Sequence, residues 1–216
     1  MIRPVTISEV AGWFETLAPA ALQESYDNAG LQTGQPADAV TSALVTLDVT
    51  EAVVDEAIRR GVNLIVAHHP VIFGGIKKLT GANPVERILL KAIRSHIAIL
   101  SVHTNLDNVT GGVNSMIARK LGLTGCRILQ PLKGKLRKLV TFVPVDHLEP
   151  VRQALFSAGA GTIGNYDQCS FSGEGTGSFR GNEETRPFAG ESGKFHEEKE
   201  MRLETIYPAW NENQVI

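Results

Sequence analysis

The stretch that most constrains this chain is Asn63-Leu-Ile-Val-Ala-His68-His69-Pro70, a short apolar run that ends in two adjacent histidines and a proline. The run between Gly61 and Pro70 is too short for a helix of its own. It therefore predicts a buried strand of the kind found in parallel sheets. In open α/β sheets, ligands bind at the carboxyl ends of the strands. We therefore predict that His68 and His69 begin a divalent-metal site.

Strand and helix patterns alternate on both sides of this stretch. Thr6 opens a capping-box pattern for a first amphipathic helix, and Asn83-Pro84 supplies the cap and the first position of another. Alternating strands and helices are the sequence pattern of a parallel α/β sheet. The segment 24–34 has no clear period, and its polar and glycine residues indicate a loop. The predicted strands cover 42–47, 64–67 and 97–102, and the helices that follow them cover 51–60, the stretch after 83, and 113–121.

The character of the chain changes near Pro131, where we place the end of a first domain over residues 1–131. The basic segment Lys133-Gly-Lys-Leu-Arg-Lys138 suits a linker to a second domain over residues 137–216. Within that domain we predict a strand over 139–143, a helix over 148–157 and a strand over 201–207. The glycines of Gly173-Glu-Gly-Thr-Gly177 do not match a phosphate-loop spacing, and we interpret them as hairpin turns.

Composition argues against several classes of function. The chain has 21 Lys and Arg residues against 23 Asp and Glu residues, so its net charge of −2 offers no basic footprint for nucleic acid. No apolar run approaches the roughly 18 residues of a membrane span, and the N-terminus lacks a signal-peptide core. Cys126 and Cys169 show no metal-ligand spacing and no disulfide framework. We expect a cytoplasmic protein with no membrane contact and no nucleic-acid partner.

Imidazole and carboxylate groups recur at the ends of the predicted strands. Asp48 follows one strand, His68 and His69 follow the next, and His103 follows a third, with Asp107 shortly after it. Parallel neighbours bring their carboxyl ends to one edge of the sheet, so these groups can converge. Together they suit Zn²⁺, Mn²⁺, Fe²⁺ or Co²⁺.

The adjacent histidines favour two ions over one. Adjacent residues on a strand point to opposite faces, so one ion could hardly use both His68 and His69 while the strand stays regular. The strand end relaxes this geometry, and Pro70 biases His69 toward an extended backbone. Two ions, one for each imidazole, are a natural solution, with a bridging Asp107 holding them about 3.5–4 Å apart as in two-metal hydrolases.

Other interpretations of the same residues stay open at this point. A His-His-Pro motif also fits a surface histidine beside a packed one. Asp107 could be a helix cap or a turn former, and Asp48 could cap the helix over 51–60. The sequence contains no Gly-x-Ser-x-Gly elbow, so a serine hydrolase has no support.

Five stretches of the chain match motifs of one known protein family. They are Ser25-Tyr-Asp-Asn-Ala-Gly-Leu-Gln32, Leu47-Asp-Val-Thr50, Leu64-Ile-Val-Ala-His-His-Pro-Val-Ile-Phe73, His103-Thr-Asn-Leu-Asp107 and Gly159-Ala-Gly-Thr-Ile-Gly-Asn-Tyr-Asp-Gln-Cys-Ser-Phe171. On these residues the chain resembles the GTP cyclohydrolase 1 type 2 homolog family, also called the NIF-three-like dinuclear metal-centre proteins. The fifth stretch resembles a domain that is inserted in longer members.

The resemblance implies a fold, a site and an assembly. The implied fold is an α/β metal domain with a parallel or mixed sheet, followed by part of an inserted α+β domain similar to the PII and CutA folds. In that family the residues matching His68 and His69 ligate two divalent ions (Zn, Fe, Mn or Co), the residue matching Asp107 is a further ligand, and the one matching His103 lies close by. The implied assembly is a toroidal homohexamer.

The chain departs from the family pattern in one respect. Family members supply a further histidine and glutamate, four residues apart, from a C-terminal segment. His196 and Glu200 have this spacing, but they lie in the stretch that matches the insert, so the ligand role is not carried over to them. We expect either a fragment or a naturally split protein that needs a partner chain, with weak metal binding by these residues alone.

Three functions are compatible with these observations. The first is a metal-dependent hydrolase, in which His103 transfers protons as general acid or base and Asp27, Asn28 and Asp48 line the cleft of a small-molecule or nucleotide substrate. The second is a non-catalytic metal-binding scaffold or regulator, with the insert as its sensing or interaction module. The third is a chain that is inactive by itself.

Overall fold

The computed structural model describes residues 3–216, so the first two residues of the predicted first domain lie outside the described residues. The chain divides into two compact units, the first ending at Arg127 and the second covering Ile128–Ile216. This division lies a few residues before Pro131, where the composition changes. The first unit has a mixed four-stranded sheet and the second an antiparallel three-stranded sheet. None of the helices in the described range is long and apolar enough to cross a membrane.

From residue 3 to Arg127, the first unit has four strands and five α-helices. In chain order they are α1 (Ile7–Leu17), β1 (Gly30–Thr33), β2 (Ala43–Thr46), α2 (Glu51–Arg60), β3 (Leu64–Ala67), α3 (Pro84–Arg94), β4 (Ala98–Ser101), α4 (Thr104–Asn108) and α5 (Val113–Lys120). The predicted caps set where the first three helices begin. Thr6 and Glu9 form the capping box of α1, Thr50 caps α2, and the Asn83 side chain accepts the backbone N–H of Glu86 at the start of α3.

The strands of the first sheet lie in the order β1-β4-β3-β2. β2, β3 and β4 are parallel, as the alternating strand and helix pattern predicts, whereas β1 runs antiparallel to β4. β1 lies inside the segment that was interpreted as a loop, and that interpretation is wrong for residues 30–33. The strand is short and half-buried along its whole length, so it leaves no alternating pattern in the sequence. Gly34 is required after it, because a Cβ there would lie 2.5 Å from the Ala98 Cβ.

Both faces of this sheet are covered, and each cover forms its own apolar core. Ile65 and Ile99 point to one face and pack with residues of α2 and α3, among them Val54 and Ile88. The residues on either side of them point to the other face, where α1 covers them. These residues are Leu64, Val66, Ala98 and Leu100. All residues of β3 and β4 are buried, which explains why both strands are apolar except for Ser101 at the end of β4.

The second unit packs helices against one face of its sheet. Its elements are β5 (Leu136–Pro144), α6 (Leu148–Ser157), β6 (Ser170–Arg180), β7 (Phe195–Pro208) and α7 (Glu212–Val215). β7 lies between β5 and β6 and is antiparallel to both. Leu155 of α6 packs against Leu203 and Tyr207 of β7 in the core of this unit.

Two sequence interpretations in this unit are wrong. The glycines at 173, 175 and 177 do not form hairpin turns, because they lie inside β6 and pair with β7 from Arg202 to Glu198. The segment interpreted as a linker, 133–138, becomes strand from Leu136 onward, where it pairs with Pro208. In both cases the hydrogen-bond partner is distant in sequence, so local composition gives no sign of the strand.

Candidate metal centre

The carboxyl ends of β2, β3 and β4 lie side by side and present the residues predicted for the site. The pairing continues past the strands, since the backbone N–H of His69 donates to the carbonyl of Leu47 at 2.9 Å and that of Val102 donates to the carbonyl of Ala67 at 2.9 Å. His68 and His69 follow β3 directly, and His103 follows β4. The parallel register therefore brings the three histidines together at one edge of the sheet.

His68, His69 and His103 form a compact cluster, here called the histidine trio. The ring centroids lie 5.0 Å apart for the first two, 5.2 Å for the first and third, and 5.4 Å for the last two. One ring nitrogen from each histidine lies within 4.8 Å of the other two. β3 ends at Ala67, so the opposite-face rule for a regular strand does not apply to the two adjacent histidines.

Each imidazole of the trio is held through its Nδ1 atom. Nδ1 of His68 lies 2.9 Å from the carbonyl oxygen of Val102. Nδ1 of His69 lies 2.8 Å from Oδ1 of Asp48, and Nδ1 of His103 lies 2.8 Å from Oδ1 of Asp27. Because a carbonyl and an ionised carboxylate only accept, each Nδ1 is the donor.

This hydrogen bonding fixes the tautomer of all three rings. When Nδ1 of a neutral imidazole carries the proton, Nε2 keeps its lone pair and is the nitrogen free to bind a metal. Metal-ligating histidines in proteins are held in this way by carboxylates or backbone carbonyls. The trio has the donors and the supporting groups of a metal site, with three nitrogens and nearby carboxylates that suit Zn²⁺ or a similar divalent ion.

Asp27 supports His103 from a buried position. Its side chain has no exposed surface, and it accepts hydrogen bonds from His103, from the backbone and hydroxyl of Thr104, and from the backbone of Asn28. Burial acts to raise the pKa of Asp27, but the hydrogen bonds from His103 and Thr104 outweigh it, so the pKa lies below its usual value. The predicted contact of Asp27 with substrate does not fit this burial, because the carboxylate faces the protein.

Asp107 faces the trio from α4. Its Oδ1 lies 3.7 Å from Nε2 of His68, which is longer than a hydrogen bond, and its side chain is 30% exposed. Its carboxylate therefore lies beside the Nε2 atom that the Val102 hydrogen bond leaves free.

The remaining predicted residues lie around the trio. Asp48 is 60% exposed and bonds to His69, while Thr50 caps α2, so the alternative in which Asp48 caps that helix is wrong. The Asn28 side chain donates to the backbone carbonyl of Ile72, which ties its loop to the segment after the His-His-Pro motif.

Two residues that contact the site were not among the predicted site residues. Phe73 places its ring edge-to-face against His103, with centroids 5.8 Å apart, although more than half of its surface is exposed. Val102 contributes only a backbone carbonyl, which any residue could supply. Phenylalanine and valine side chains do not bind metals, so a search of the sequence for metal ligands does not find these two residues.

Comparison with known proteins identifies the family. Residues 5–201 match the model of the family described as Duf34/NIF3 (NGG1p interacting factor 3). A Bacillus subtilis protein named "GTP cyclohydrolase 1 type 2 homolog" is 42% identical over the whole of this chain, which covers 58% of that protein.

Solved structures that are similar to this chain also come from proteins related to this family. A Bacillus cereus protein described as related to NIF3 has a TM-score of 0.84 and 42% identity, over 99% of this chain and 57% of its own. A Staphylococcus aureus protein has a TM-score of 0.70 and 31% identity, over 99% and 55%. The chain therefore spans a little more than half the length of these relatives. By its sequence and by its fold, the chain belongs to the Duf34/NIF3 family.

Proposed function

We propose that this chain binds divalent metal through the histidine trio. The observation that carries the proposal is that all three Nδ1 atoms are engaged by acceptors while a nitrogen from each ring lies within 4.8 Å of the others. Three unrelated surface histidines would not be expected to bring their ring nitrogens together and also to have all three Nδ1 atoms hydrogen-bonded. A divalent ion bound there would act as a Lewis acid and activate water for hydrolysis.

The residues of the site have separate tasks in this proposal. The trio supplies nitrogen ligands, and Asp107 supplies a carboxylate beside His68. Asp48 and Asp27 orient their imidazoles, because a hydrogen bond to Nδ1 fixes both the ring plane and the free nitrogen. Asp48 is also exposed enough to contact a bound substrate.

We further propose a dinuclear centre, with His68 and His69 on different ions and Asp107 between them. This is supported by the resemblance of the sequence motifs and by the position of Asp107 next to His68. Four protein ligands are few for two ions, so the second ion is expected to bind more weakly than the first.

The proposed activity is metal-dependent hydrolysis. The name shared by the relatives, GTP cyclohydrolase 1 type 2 homolog, supports a hydrolytic reaction on a nucleotide or another small molecule. His103 was predicted to transfer protons, and its position in the trio adds a second role, that of a ligand. The two roles are exclusive in one metal-bound state, since the same Nε2 lone pair cannot bind an ion and accept a proton.

A metal analysis of the full chain tests the binding proposal. Purified protein is dialysed separately against Zn²⁺, Mn²⁺, Co²⁺ and Fe²⁺, and bound metal is measured by mass spectrometry. We expect at least one equivalent in wild type and close to none in the variant His68→Ala/His69→Ala/His103→Ala. His147→Ala is the matched control, because His147 also bonds to an aspartate through Nδ1 but lies in the second unit. Equal metal content in the wild type and the triple variant would refute the site.

Cobalt spectra and activity assays separate the finer proposals. If His103 is a ligand, His103→Ala changes the Co²⁺ absorption spectrum. If it transfers protons instead, the spectrum stays the same and only turnover falls. A stoichiometry that never exceeds one ion argues against the dinuclear centre. If metal-loaded protein turns over no nucleotide or phosphoester in a broad panel, the hydrolase proposal fails and the metal-binding scaffold is favoured.

Two further proposals concern the fold of the second unit and the oligomeric state. We propose that the second unit corresponds to part of a PII- and CutA-like domain, which its antiparallel sheet with α6 on one face supports. A regulatory function of the whole protein would then use this unit for sensing or interaction. We also propose a homohexamer, which sedimentation velocity of the purified chain would test.

A further inference from the structure

A cleft of about 380 Å³ lies on the face of the second unit's sheet that is opposite to α6. The helix α6 packs on Leu203 and Tyr207 of β7. Since successive residues of a strand point to opposite faces, Glu198 and Glu200 point away from α6. Both carboxylates line the cleft. A cleft of this volume is large enough to bind a small molecule.

Three phenylalanines form the apolar wall of the cleft. Phe142 extends from β5 and Phe179 from β6, whereas Phe188 lies on the segment that connects β6 to β7. Their exposed fractions are 60%, 38% and 80%, so all three rings present apolar surface to solvent. Clustered apolar surface of this kind marks a groove that binds a ligand or a partner.

The connecting segment 181–194 closes one side of the cleft and is held by its own contacts. The Ser192 hydroxyl donates to the backbone carbonyl of Thr185 at 2.7 Å, which ties the two sides of the segment together. The Phe188 ring lies edge-to-face against His147, with ring centroids 5.1 Å apart. These contacts position the part of the segment that faces the sheet.

Two charged side chains of the cleft, one of each sign, have no partner within residues 3–216. Arg186 on the connecting segment and Glu200 on β7 form neither a hydrogen bond nor an ion pair through their side chains. Other charged groups on the same face of the sheet are paired, since Glu204 forms ion pairs with Lys138 and Arg202. A free cation and a free anion in one cleft match a ligand that carries both charges.

Glycine at position 177 leaves room for the Glu200 carboxylate. A Cβ on Gly177 would lie 2.7 Å from Cδ of Glu200, so this side chain lies directly over the backbone of β6. The other carboxylate of the cleft is already engaged, because Glu198 lies 3.2 Å from Nε2 of His196. Glu200 is therefore the free acceptor on the sheet side of the cleft.

We propose that this cleft binds a free α-amino acid with an apolar or aromatic side chain. The ammonium group of the ligand bonds to Glu200, its carboxylate bonds to Arg186, and its side chain packs against the three phenylalanines. Arginine suits this role because its planar guanidinium group binds a carboxylate through two parallel N–H groups. Aromatic rings stack on other aromatic rings and also attract a nearby ammonium group. The proposal concerns the second unit and does not rest on metal binding by the histidine trio.

An NMR titration of the full chain with a matched set of ligands tests the proposal. The probes are L-phenylalanine, L-tryptophan and L-leucine, and the one that binds most tightly is compared with its decarboxylated and its deaminated analogue. We expect that amino acid to bind with a Kd of about 1 mM or below, and each analogue at least about tenfold more weakly, because each lacks one of the two ion pairs. The proposal is overturned if none of the three amino acids shows saturable binding, or if either analogue binds as tightly as its parent.

Neutral substitutions assign each ion pair to its residue. Arg186→Gln should weaken binding of the amino acid at least about tenfold but leave the decarboxylated analogue unaffected, because that analogue has no carboxylate. Glu200→Gln should weaken the amino acid similarly but leave the deaminated analogue unaffected. Arg180→Gln is the matched control, because Arg180 follows Phe179 in β6 and points to the opposite face of the sheet. A loss in Arg180→Gln as large as that in Arg186→Gln, or a loss in Arg186→Gln that the decarboxylated analogue shares, contradicts the assignment.

A further pair of variants tests the apolar wall. Phe188→Ala should weaken binding of the amino acid by about two- to tenfold, because one aromatic contact is lost. Phe195→Ala is the control, because Phe195 is also exposed, at 65%, but pairs with Arg180 on the other face. Circular dichroism should show that both variants are folded. Equal affinities of the two variants would show that the ligand does not contact this wall.

Discussion

Replacing Asp27 by asparagine should weaken metal binding without changing any metal ligand. The side chain is fully buried and accepts hydrogen bonds from His103 at 2.8 Å, from the Thr104 backbone at 3.0 Å and from the Asn28 backbone at 2.7 Å. An amide keeps one accepting oxygen and turns an NH₂ group toward the remaining donors. The His103 ring then loses its fixed orientation, or Thr104 loses its partner.

The expected loss of metal affinity can be estimated from the hydrogen bond that Asp27→Asn removes. Loss of one hydrogen bond to a charged group costs about 1.5–3 kcal/mol, and substitutions of groups that hold metal-binding histidines typically lower metal affinity by about 10- to 100-fold. We expect the Kd of Asp27→Asn for Zn²⁺ to rise by about that factor, in competition with a chromophoric chelator. Urea unfolding of the metal-free protein should show a parallel loss of stability.

Two further variants separate orientation of the ring from general loss of structure. Asp146→Asn removes a carboxylate that also accepts from a histidine at 2.8 Å, but in the second unit, and it should leave metal affinity unchanged. Thr104→Val removes a hydroxyl donor to Asp27 while keeping the Asp27 and His103 pair, so it should lower stability more than affinity. The reasoning is refuted if folded Asp27→Asn binds metal as tightly as wild type.

Three other predictions concern stability, each measured by urea unfolding. Ile99→Ala leaves a cavity in a fully buried position and should cost about 2–5 kcal/mol, whereas Leu129→Ala at a fully exposed site should change stability by less than about 0.5 kcal/mol; similar values would contradict the assigned core. His96 adopts a left-handed conformation (φ 54°) after α3, so His96→Gly should stabilise the protein by about 1 kcal/mol, and a loss of stability would show that its side chain matters. Backbone hydrogen bonds, first from Thr80, hold the pKa of Glu86 below its usual value, so this carboxylate contributes stability above the unfolded pKa of about 4.3 and loses it as the pH falls through the folded pKa. Glu86→Gln should therefore flatten the loss of stability below that pH, and an unchanged pH profile would contradict the assignment.

Much of the first unit could be predicted because its signals are local. Capping residues such as Thr6 and Asn83 act within one turn of their helices, and a run such as 64–67 is apolar because both faces of the strand are buried. The second unit was predicted less well. The glycines of β6 and the basic start of β5 become strand only because β7 pairs with both. Strand pairing depends on partners far along the chain, which composition does not show.

The sequence alone determined which groups reach the candidate site and at which edge of the sheet. His68, His69 and His103 follow apolar strands, and parallel pairing had to bring those strand ends together. Only the tertiary structure decided how the groups are held. His103 meets Asp27, 76 residues earlier in the chain, and His68 meets a backbone carbonyl that has no sequence signature. Periodicity and capping act over a few residues, whereas the orientation of a ring is set by whichever atom the fold brings to its other nitrogen.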